Sequence, residues 1–218
     1  MSHDHDHNDH DHGHAHPTLP DQDGPLTYHQ KLESAVRELL VEKGVLTADE
    51  IRGRVELYDF QSPALGAKVV ARAWVDPAYK KRLLADGSQA VRELGIDMES
   101  VKLVVVENTA RVHNLIVCTL CSCYPRPVLG LPPDWYKKKA YRARAVREPR
   151  SVLREFGTDL PGDIEVRVHD STADMRYLVL PLRPEGTDGL SEAELAELVT
   201  RDSMIGVSLP RVPSGSGA

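Results

Sequence analysis

All three cysteines of this 218-residue chain lie within six consecutive residues, in the segment Cys118-Thr-Leu-Cys121-Ser-Cys123. A disulfide framework would need an even number of cysteines spread along the chain, so this pattern instead indicates metal binding or redox chemistry in a reducing compartment. A structural zinc site usually has four ligands in two separated pairs, and an iron–sulfur cluster would need a fourth cysteine from a partner. A redox Cys-x-x-Cys pair would leave Cys123 without a role.

The spacing favours a metal site in which the backbone supplies the missing ligands. Cys121 and Cys123 flank Ser122, so two thiolates straddle the peptide N–H groups of Ser122 and Cys123. A strongly polarising trivalent metal would deprotonate both amides and bind two nitrogens and the three sulfurs, leaving one octahedral position open. An open position distinguishes a catalytic metal site from a closed structural one. His113 lies five residues before Cys118 and could complete a set of ligands, but we expect it to be structural.

Composition excludes several classes of protein. The chain is 41% hydrophobic and 28% charged, which is enough apolar material for a buried core. Its apolar runs are far shorter than the ~20 residues of a membrane-spanning helix, and the start of the chain lacks the apolar stretch of a secretory signal. The net charge of −6 argues against a general nucleic-acid binder. We therefore expect a cytoplasmic protein with no membrane or nucleic-acid partner.

Three parts of different composition follow one another along the chain. Residues 1–26 are predicted to be a disordered leader, which holds seven of the ten histidines and alternates them with aspartate. Such a tract either collects divalent metal or is a solvated leader with incidental affinity. Residues 27–210 are predicted to be one domain, with a helical arm over about 27–95 and a metal-binding sheet domain over about 96–210. Residues 211–218 are expected to be a flexible tail.

The hydrophobic pattern changes its period between the arm and the sheet domain. Helical spacing and a capping box from Thr47 to Glu50 predict helices over most of the first hundred residues. Asp76, as an N-cap followed by Pro77, predicts the start of the fourth of these helices. The fold class that we predict is α+β, with a helical N-terminal arm followed by a mixed α/β layered catalytic domain. The basic stretch 137–154 lacks the aromatic pattern of a nucleic-acid site, so we expect it to face a subunit and support the cysteine site. The predicted strands are 101–106, 115–117, 164–168 and 177–180.

The cysteine segment continues into a longer set of motifs. Val117-Cys-Thr-Leu-Cys-Ser-Cys123 is followed by Tyr124-Pro125 and by Pro127-Val-Leu-Gly-Leu-Pro-Pro133-x-Trp135-Tyr136. Together these motifs resemble the nitrile hydratase alpha subunit, and Thr119 resembles the cobalt type of that family, since the iron type usually has serine there. Further matching segments extend the resemblance over roughly residues 28–210; they are Leu65–Val70, Trp74–Pro77, Tyr141–Arg144, Arg183–Thr187 and Arg201–Gly206.

The resemblance implies a fold of the nitrile hydratase alpha-chain type and one non-corrin Co(III) ion per subunit, with Fe(III) less favoured. The implied ligands are the thiolates of Cys118, Cys121 and Cys123 and the backbone nitrogens of Ser122 and Cys123. Cys121 is implied to be oxidised to a sulfinate and Cys123 to a sulfenate, which would make the metal more electrophilic. Cys121, Ser122 and Cys123 are therefore the implied catalytic residues.

The resemblance also implies partners and a reaction. The oxidised sulfurs present anionic oxygens, and in this family the arginines that bind them come largely from an obligate beta subunit. An activator protein for cobalt insertion is a second implied partner. The implied reaction is hydration of a nitrile to its amide, with attack on the nitrile carbon by water or by the Cys123 sulfenate oxygen.

One position departs from the pattern of the family. The usual Tyr-Pro-Trp-Pro reads Tyr124-Pro125-Arg126-Pro127 here, and Arg126 and Trp135 are the candidates for the substrate pocket. Arginine at this place, together with the leader, resembles the metal-bearing gamma subunit of thiocyanate hydrolase, which hydrolyses thiocyanate to carbonyl sulfide and ammonia. We expect a nitrile as the substrate and keep thiocyanate as the alternative. A non-catalytic zinc-binding interaction protein is a third possibility.

Overall fold

The structure is a computed structural model and describes residues 25–213. These residues belong to two compact units, one ending at Ile51 and the other beginning at Arg52. The predicted leader lies almost entirely outside the described residues, as does most of the predicted tail. The predicted division between an arm and a sheet domain near residue 95 stays a prediction. Over residues 25–213, every helix is too short or too polar to cross a membrane.

Two capping boxes start the N-terminal helices. Helix α1 spans Tyr28–Glu42 and begins at Thr27, which exchanges hydrogen bonds with Gln30. Helix α2 spans Ala48–Phe60, and its predicted capping box is present. The backbone N–H of Thr47 donates to the Glu50 carboxylate at 2.7 Å, and the backbone N–H of Glu50 donates to the Thr47 hydroxyl at 3.1 Å. These paired bonds satisfy N–H groups that the first turn leaves free, which fixes where the helix starts.

Nine further helices follow among the described residues. The predicted start of the fourth helix is confirmed, because the Asp76 carboxylate accepts from the N–H groups of Ala78 and Tyr79, and Pro77 is the first helical residue. The helices are α3 (Pro63–Val75), α4 (Pro77–Ala85), α5 (Gly87–Arg92), α6 (Arg126–Leu129), α7 (Asp134–Lys137), α8 (Lys139–Arg147), α9 (Pro149–Glu155), α10 (Glu192–Leu198) and α11 (Arg201–Ile205).

Four strands form two parallel pairs. Strand β1 (Lys102–Glu107) pairs with β4 (Met175–Leu180), and β2 (Val112–Val117) pairs with β3 (Glu165–Asp170). The predicted α+β class is confirmed. In the second pair, β2 and β3 run in the same direction. The reason is the connection from β2 to β3, which carries α6 to α9 and returns the chain to start a strand in the same direction.

The core packs the strands against helices α3 to α9 and α11, and close backbone approaches fix how some of these elements meet. A Cβ atom on Gly66 of α3 would lie 2.7 Å from the Val128 carbonyl oxygen of α6, so only glycine fits there. Gly206 follows α11 with a φ of 93°, and a Cβ there would collide with the Asn114 carbonyl oxygen of β2. The chain after α11 is thereby held against β2, the strand that leads into the cysteines.

Candidate metal centre

The cysteine loop (residues 118–123) begins at the carboxyl end of a buried strand. Strand β2 ends at Val117, which lies opposite Asp170 at the end of β3 in the parallel register. The Ser171 N–H donates to the Val117 carbonyl at 2.8 Å, which continues the pairing one residue past β3. Cys118 follows directly and is fully buried. The loop therefore starts from a fixed strand end, the position where parallel strands commonly carry binding sites.

The loop brings its three thiols together. Their Sγ atoms all lie within 4.8 Å of one another, with 3.4 Å between Cys118 and Cys121 and 3.1 Å between Cys121 and Cys123. Across residues 25–213, no other group of three or more histidine, cysteine or acidic side chains is placed to hold a metal. Thiolates are soft ligands that suit transition metals rather than magnesium or calcium. The chemistry of the donor set therefore fits a transition-metal ion.

The thiols differ in their ease of ionisation. The thiols of Cys123 and Cys118, together with the backbone N–H groups of Ser122 and Cys123, donate to the Cys121 thiolate and lower the pKa of Cys121 to about 7. Burial and the shared proton with Cys121 raise the pKa of Cys123 to about 12, and the positive charge of Arg176 opposes that rise. Cys121 therefore loses its proton before Cys123, and two backbone amides already face the Cys121 sulfur.

Two side chains from distant elements hold the first half of the loop. The Asp170 carboxylate accepts from the backbone N–H of Thr119 at 2.9 Å and from the Thr119 hydroxyl at 2.5 Å. The Arg142 guanidinium on α8 donates to the carbonyls of Thr119 and Leu120 at 2.9 and 3.2 Å. The expectation that the basic stretch supports the site is thus met at Arg142. The sequence did not indicate Asp170 as a residue of the site, because the predicted strand ended before it.

Tyrosine hydroxyls hold the two ends of the loop. The Tyr136 hydroxyl donates to the Cys123 carbonyl at 2.9 Å, and the Tyr141 hydroxyl donates to the Ile116 carbonyl at 2.6 Å. Trp135 packs edge-on against Tyr141 and Phe156, with ring centroids 4.9 and 4.7 Å apart. Trp135 is therefore part of an aromatic cluster and is not among the described residues that line the cavity beside the cysteines. Its predicted pocket role stays a prediction.

A cavity of about 370 Å³ lies beside the cysteines. Arg126, at the start of α6, and Arg176, in β4, both line it, and so does Glu99, whose carboxylate is 2.6 Å from the Arg54 guanidinium. Two larger surface clefts, of about 740 and 690 Å³, contain no cysteine, so size alone does not mark this site. The remaining lining residues are Tyr58, Gln61, Met98, Val101, Cys121, Ser122, Cys123, Tyr124 and Pro127.

Two histidines of the strands, the buried His113 and the partly buried His169, have partners away from the thiols. The His113 Nε2 atom lies 2.7 Å from the Gly206 carbonyl oxygen, and burial lowers the pKa of His113. The His169 Nε2 atom lies 2.8 Å from the Asn114 side-chain oxygen. Neither imidazole joins the group of potential metal ligands. The structure therefore gives both histidines a place in the hydrogen bonding of the strands.

Known proteins match most of this chain, including the cysteine loop. The family model described as "Nitrile hydratase, alpha chain" matches residues 27–208. The low-molecular weight cobalt-containing nitrile hydratase subunit alpha of Rhodococcus rhodochrous is 57% identical, over 83% of this chain and 88% of the relative. The cobalt-containing nitrile hydratase subunit alpha of Pseudonocardia thermophila is 56% identical, over 79% and 86%. The thiocyanate hydrolase subunit gamma of Thiobacillus thioparus is 45% identical, over 83% and 79%.

Solved structures share the fold. A recombinant thiocyanate hydrolase with partially modified cobalt centres has a TM-score of 0.82 at 44% identity, covering 86% of this chain and 92% of the other. A variant of the Fe-type nitrile hydratase from Comamonas testosteroni Ni1 has a TM-score of 0.79 at 44% identity, covering 87% and 96%. With the family model spanning most of the chain and relatives above 50% identity, this chain belongs to the nitrile hydratase alpha-chain family.

Proposed function

We propose that this chain is the metal-bearing alpha subunit of a nitrile hydratase, a hydro-lyase that adds water to a nitrile to give the amide. The observation that carries the proposal is the convergence of three thiols within 4.8 Å on the cysteine loop, in a chain of this family. Four side chains anchor the loop, as a metal site that must keep a fixed geometry requires.

The proposed metal is one Co(III) ion. Cys118, Cys121 and Cys123 would hold it through sulfur, and Ser122 and Cys123 through their backbone nitrogens. Relatives that are 57% and 56% identical are named cobalt-containing, whereas an Fe-type neighbour in structure is 44% identical, so iron is the less favoured metal. When bound, trivalent cobalt would supply Lewis acidity toward the nitrile.

Exposure supports the proposed catalytic roles of Cys121, Ser122 and Cys123. All three line the cavity, whereas Cys118 is fully buried. Oxidation of cysteine follows thiolate character and access, so the exposed Cys121 with its lowered pKa is suited to become the sulfinate. The proposed sulfenate is Cys123, and its access to the cavity, rather than its raised pKa, supports that role. Cys118 would remain a thiolate. Tyr136 orients Cys123 through its carbonyl, which keeps the Cys123 sulfur directed at the cavity.

The proposed obligate partner is a beta subunit. Leu120, at the tip of the cysteine loop, is 88% exposed, and such an apolar side chain beside a metal site is suited to be covered by another chain. That partner would also supply arginines for the anionic oxygens of the oxidised cysteines. An activator protein for cobalt insertion is a further proposed partner.

Thiocyanate hydrolysis is the second candidate function. Arg126 lines the cavity beside the cysteines, and a guanidinium there favours an anionic substrate. A gamma subunit of thiocyanate hydrolase is 45% identical to this chain, but the nitrile hydratase relatives reach 57% and 56%. We therefore place nitrile hydration first.

Co-expression with a beta subunit in cobalt medium tests both functions. We expect the purified complex to contain cobalt and to hydrate acrylonitrile, with thiocyanate turned over at least tenfold more slowly. Arg126→Trp restores the usual residue of the family and should retain nitrile turnover. Rapid thiocyanate turnover without acrylonitrile turnover would reverse the order of the two functions. Tetrahedral zinc with unmodified cysteines would end the enzyme proposal.

A further inference from the structure

The two arginines of the cavity have different surroundings. The Arg176 guanidinium donates to backbone carbonyls of the turn before β4, at 3.1 Å to Ala173 and at close range to Thr172. Its positive charge also acts on the Cys123 thiol. Arg176 is therefore committed to the turn and to the charge of the cysteine loop.

The backbone of Arg126 is held in place, whereas its guanidinium has no partner among the described residues. Its backbone N–H donates to the Tyr124 carbonyl at 2.9 Å, and the next residues of α6, Val128 and Leu129, are fully buried. Within residues 25–213, the Arg126 side chain has no ion pair and no hydrogen bond, and it is exposed. The backbone thus holds Arg126 at the cavity while leaving its guanidinium available to a ligand.

The described lining of the cavity has no carboxylate left free to pair with Arg126. Among its described lining residues the one carboxylate is Glu99, and the Arg54 guanidinium already occupies it at 2.6 Å. A guanidinium presents a planar fork of N–H donors that matches a carboxylate. An uncompensated arginine a short way from a reaction centre is therefore suited to bind a carboxylate on the substrate.

We propose that Arg126 is a specificity-determining residue, which selects nitriles that carry a carboxylate over neutral nitriles of the same size. The inference rests on the proposed function, because nitrile hydration at the cysteine loop is what brings the other end of the substrate to Arg126. The cavity of about 370 Å³ is roomy enough for a short cyanocarboxylate. One end would lie at the cysteines and the other on the guanidinium.

The first test compares cyanoacetate with cyanoacetamide, its neutral counterpart, on the cobalt-loaded complex. We expect the wild type to favour cyanoacetate in kcat/KM. Arg126→Gln should lower the cyanoacetate-to-cyanoacetamide ratio by about tenfold to a hundredfold, since it removes a charged hydrogen-bond donor. Arg111→Gln changes an exposed arginine of the turn before β2 that does not line the cavity; it is the matched control and should leave the ratio unchanged. An unchanged ratio in Arg126→Gln would overturn the inference.

The second test needs no turnover. Propionate binding to the cobalt-free complex is measured by calorimetry, for the wild type, Arg126→Gln and the control Arg111→Gln. We expect saturable binding that weakens at least tenfold in Arg126→Gln alone and weakens further as salt is raised. Equal binding of propionate to the wild type and to Arg126→Gln would overturn the inference.

The two tests separate the failure of the inference from the failure of the proposed function. A cobalt-loaded complex that hydrates no nitrile refutes the proposed function, while the propionate measurement still decides whether Arg126 binds carboxylates. Turnover of neutral nitriles with an unchanged ratio in Arg126→Gln refutes the specificity alone. Thiocyanate turned over in preference to both nitriles would overturn the assignment to cyanocarboxylates.

Discussion

The carboxylate of Asp170 offers the sharpest test of how the cysteine loop is held. In Asp170→Ala, Thr119 loses an acceptor for its backbone N–H at 2.9 Å and another for its hydroxyl at 2.5 Å. Bonds to a charged acceptor contribute about 1.5–3 kcal/mol each when buried, and both groups here are exposed, so we take about 1 kcal/mol for each. The expected loss is about 2 kcal/mol, and it falls on the loop rather than on the core.

Hydrogen exchange of the cobalt-free chain measures this loss. About 2 kcal/mol corresponds to roughly thirtyfold faster exchange of the Thr119 amide when the loop opens locally. Cobalt content at limiting metal should fall as well, because fewer molecules hold the thiols together. Thr119→Val removes the hydroxyl bond alone and should cost about half as much.

Two matched variants control for other effects of the change. Asp170→Asn keeps an acceptor for the Thr119 N–H, and its amide group can donate to the Thr119 hydroxyl, so it should recover most of the protection. In a double-mutant cycle, Thr119→Val should add little once Asp170 is alanine. Wild-type exchange and wild-type cobalt content in Asp170→Ala would refute the argument.

Three further predictions concern the metal, the leader and two histidines. Cys121→Ser, like the same change at either other cysteine, should abolish cobalt retention and activity, because a hydroxyl is a poor soft-metal ligand; full cobalt content with normal turnover would contradict the proposed site. Deleting residues 1–20 should leave turnover and Tm nearly unchanged, and calorimetry that showed loss of folding would contradict the prediction of a disordered leader. Burial lowers the pKa of His113 and of His169 in the folded chain. Above the unfolded-state pKa of about 6.5, neither the folded nor the unfolded chain binds the proton. As the pH falls below this pKa, the unfolded chain gains protons first. The free energy of unfolding should therefore fall by up to about 1.4 kcal/mol per pH unit for each histidine. Denaturant titrations at pH 7.5 and 5.5 measure this loss. If the free energy of unfolding of His113→Gln fell between these pH values as much as that of the wild type, the prediction would be contradicted.

Local signals in the sequence predicted much of the fold. The capping box at Thr47, the N-cap at Asp76 and the runs of β-branched residues each act within a few residues, and the structure confirms the helices and strands they predict. The gathering of three thiols was equally predictable, because the cysteines lie within six residues of one another.

Partners far apart in sequence could not be predicted in the same way. Asp170 meets Thr119 across 51 residues, and a strand pattern gives the faces of a strand without naming its neighbour or its register. Arg142 was one basic residue among many, and only the fold selects it for the loop carbonyls. Helices α6 and α7 are four residues each and lie among prolines, so they carry no helical period to detect.

The contact between Asp170 and Thr119 also sets an order of events during synthesis. Because the anchor comes 51 residues after the loop, the thiols leave the ribosome roughly 3–10 seconds before the carboxylate that holds them. Gly206, which holds the end of the domain against β2, follows later still. Newly made cysteines of this chain therefore spend their first seconds without the fold that aligns them.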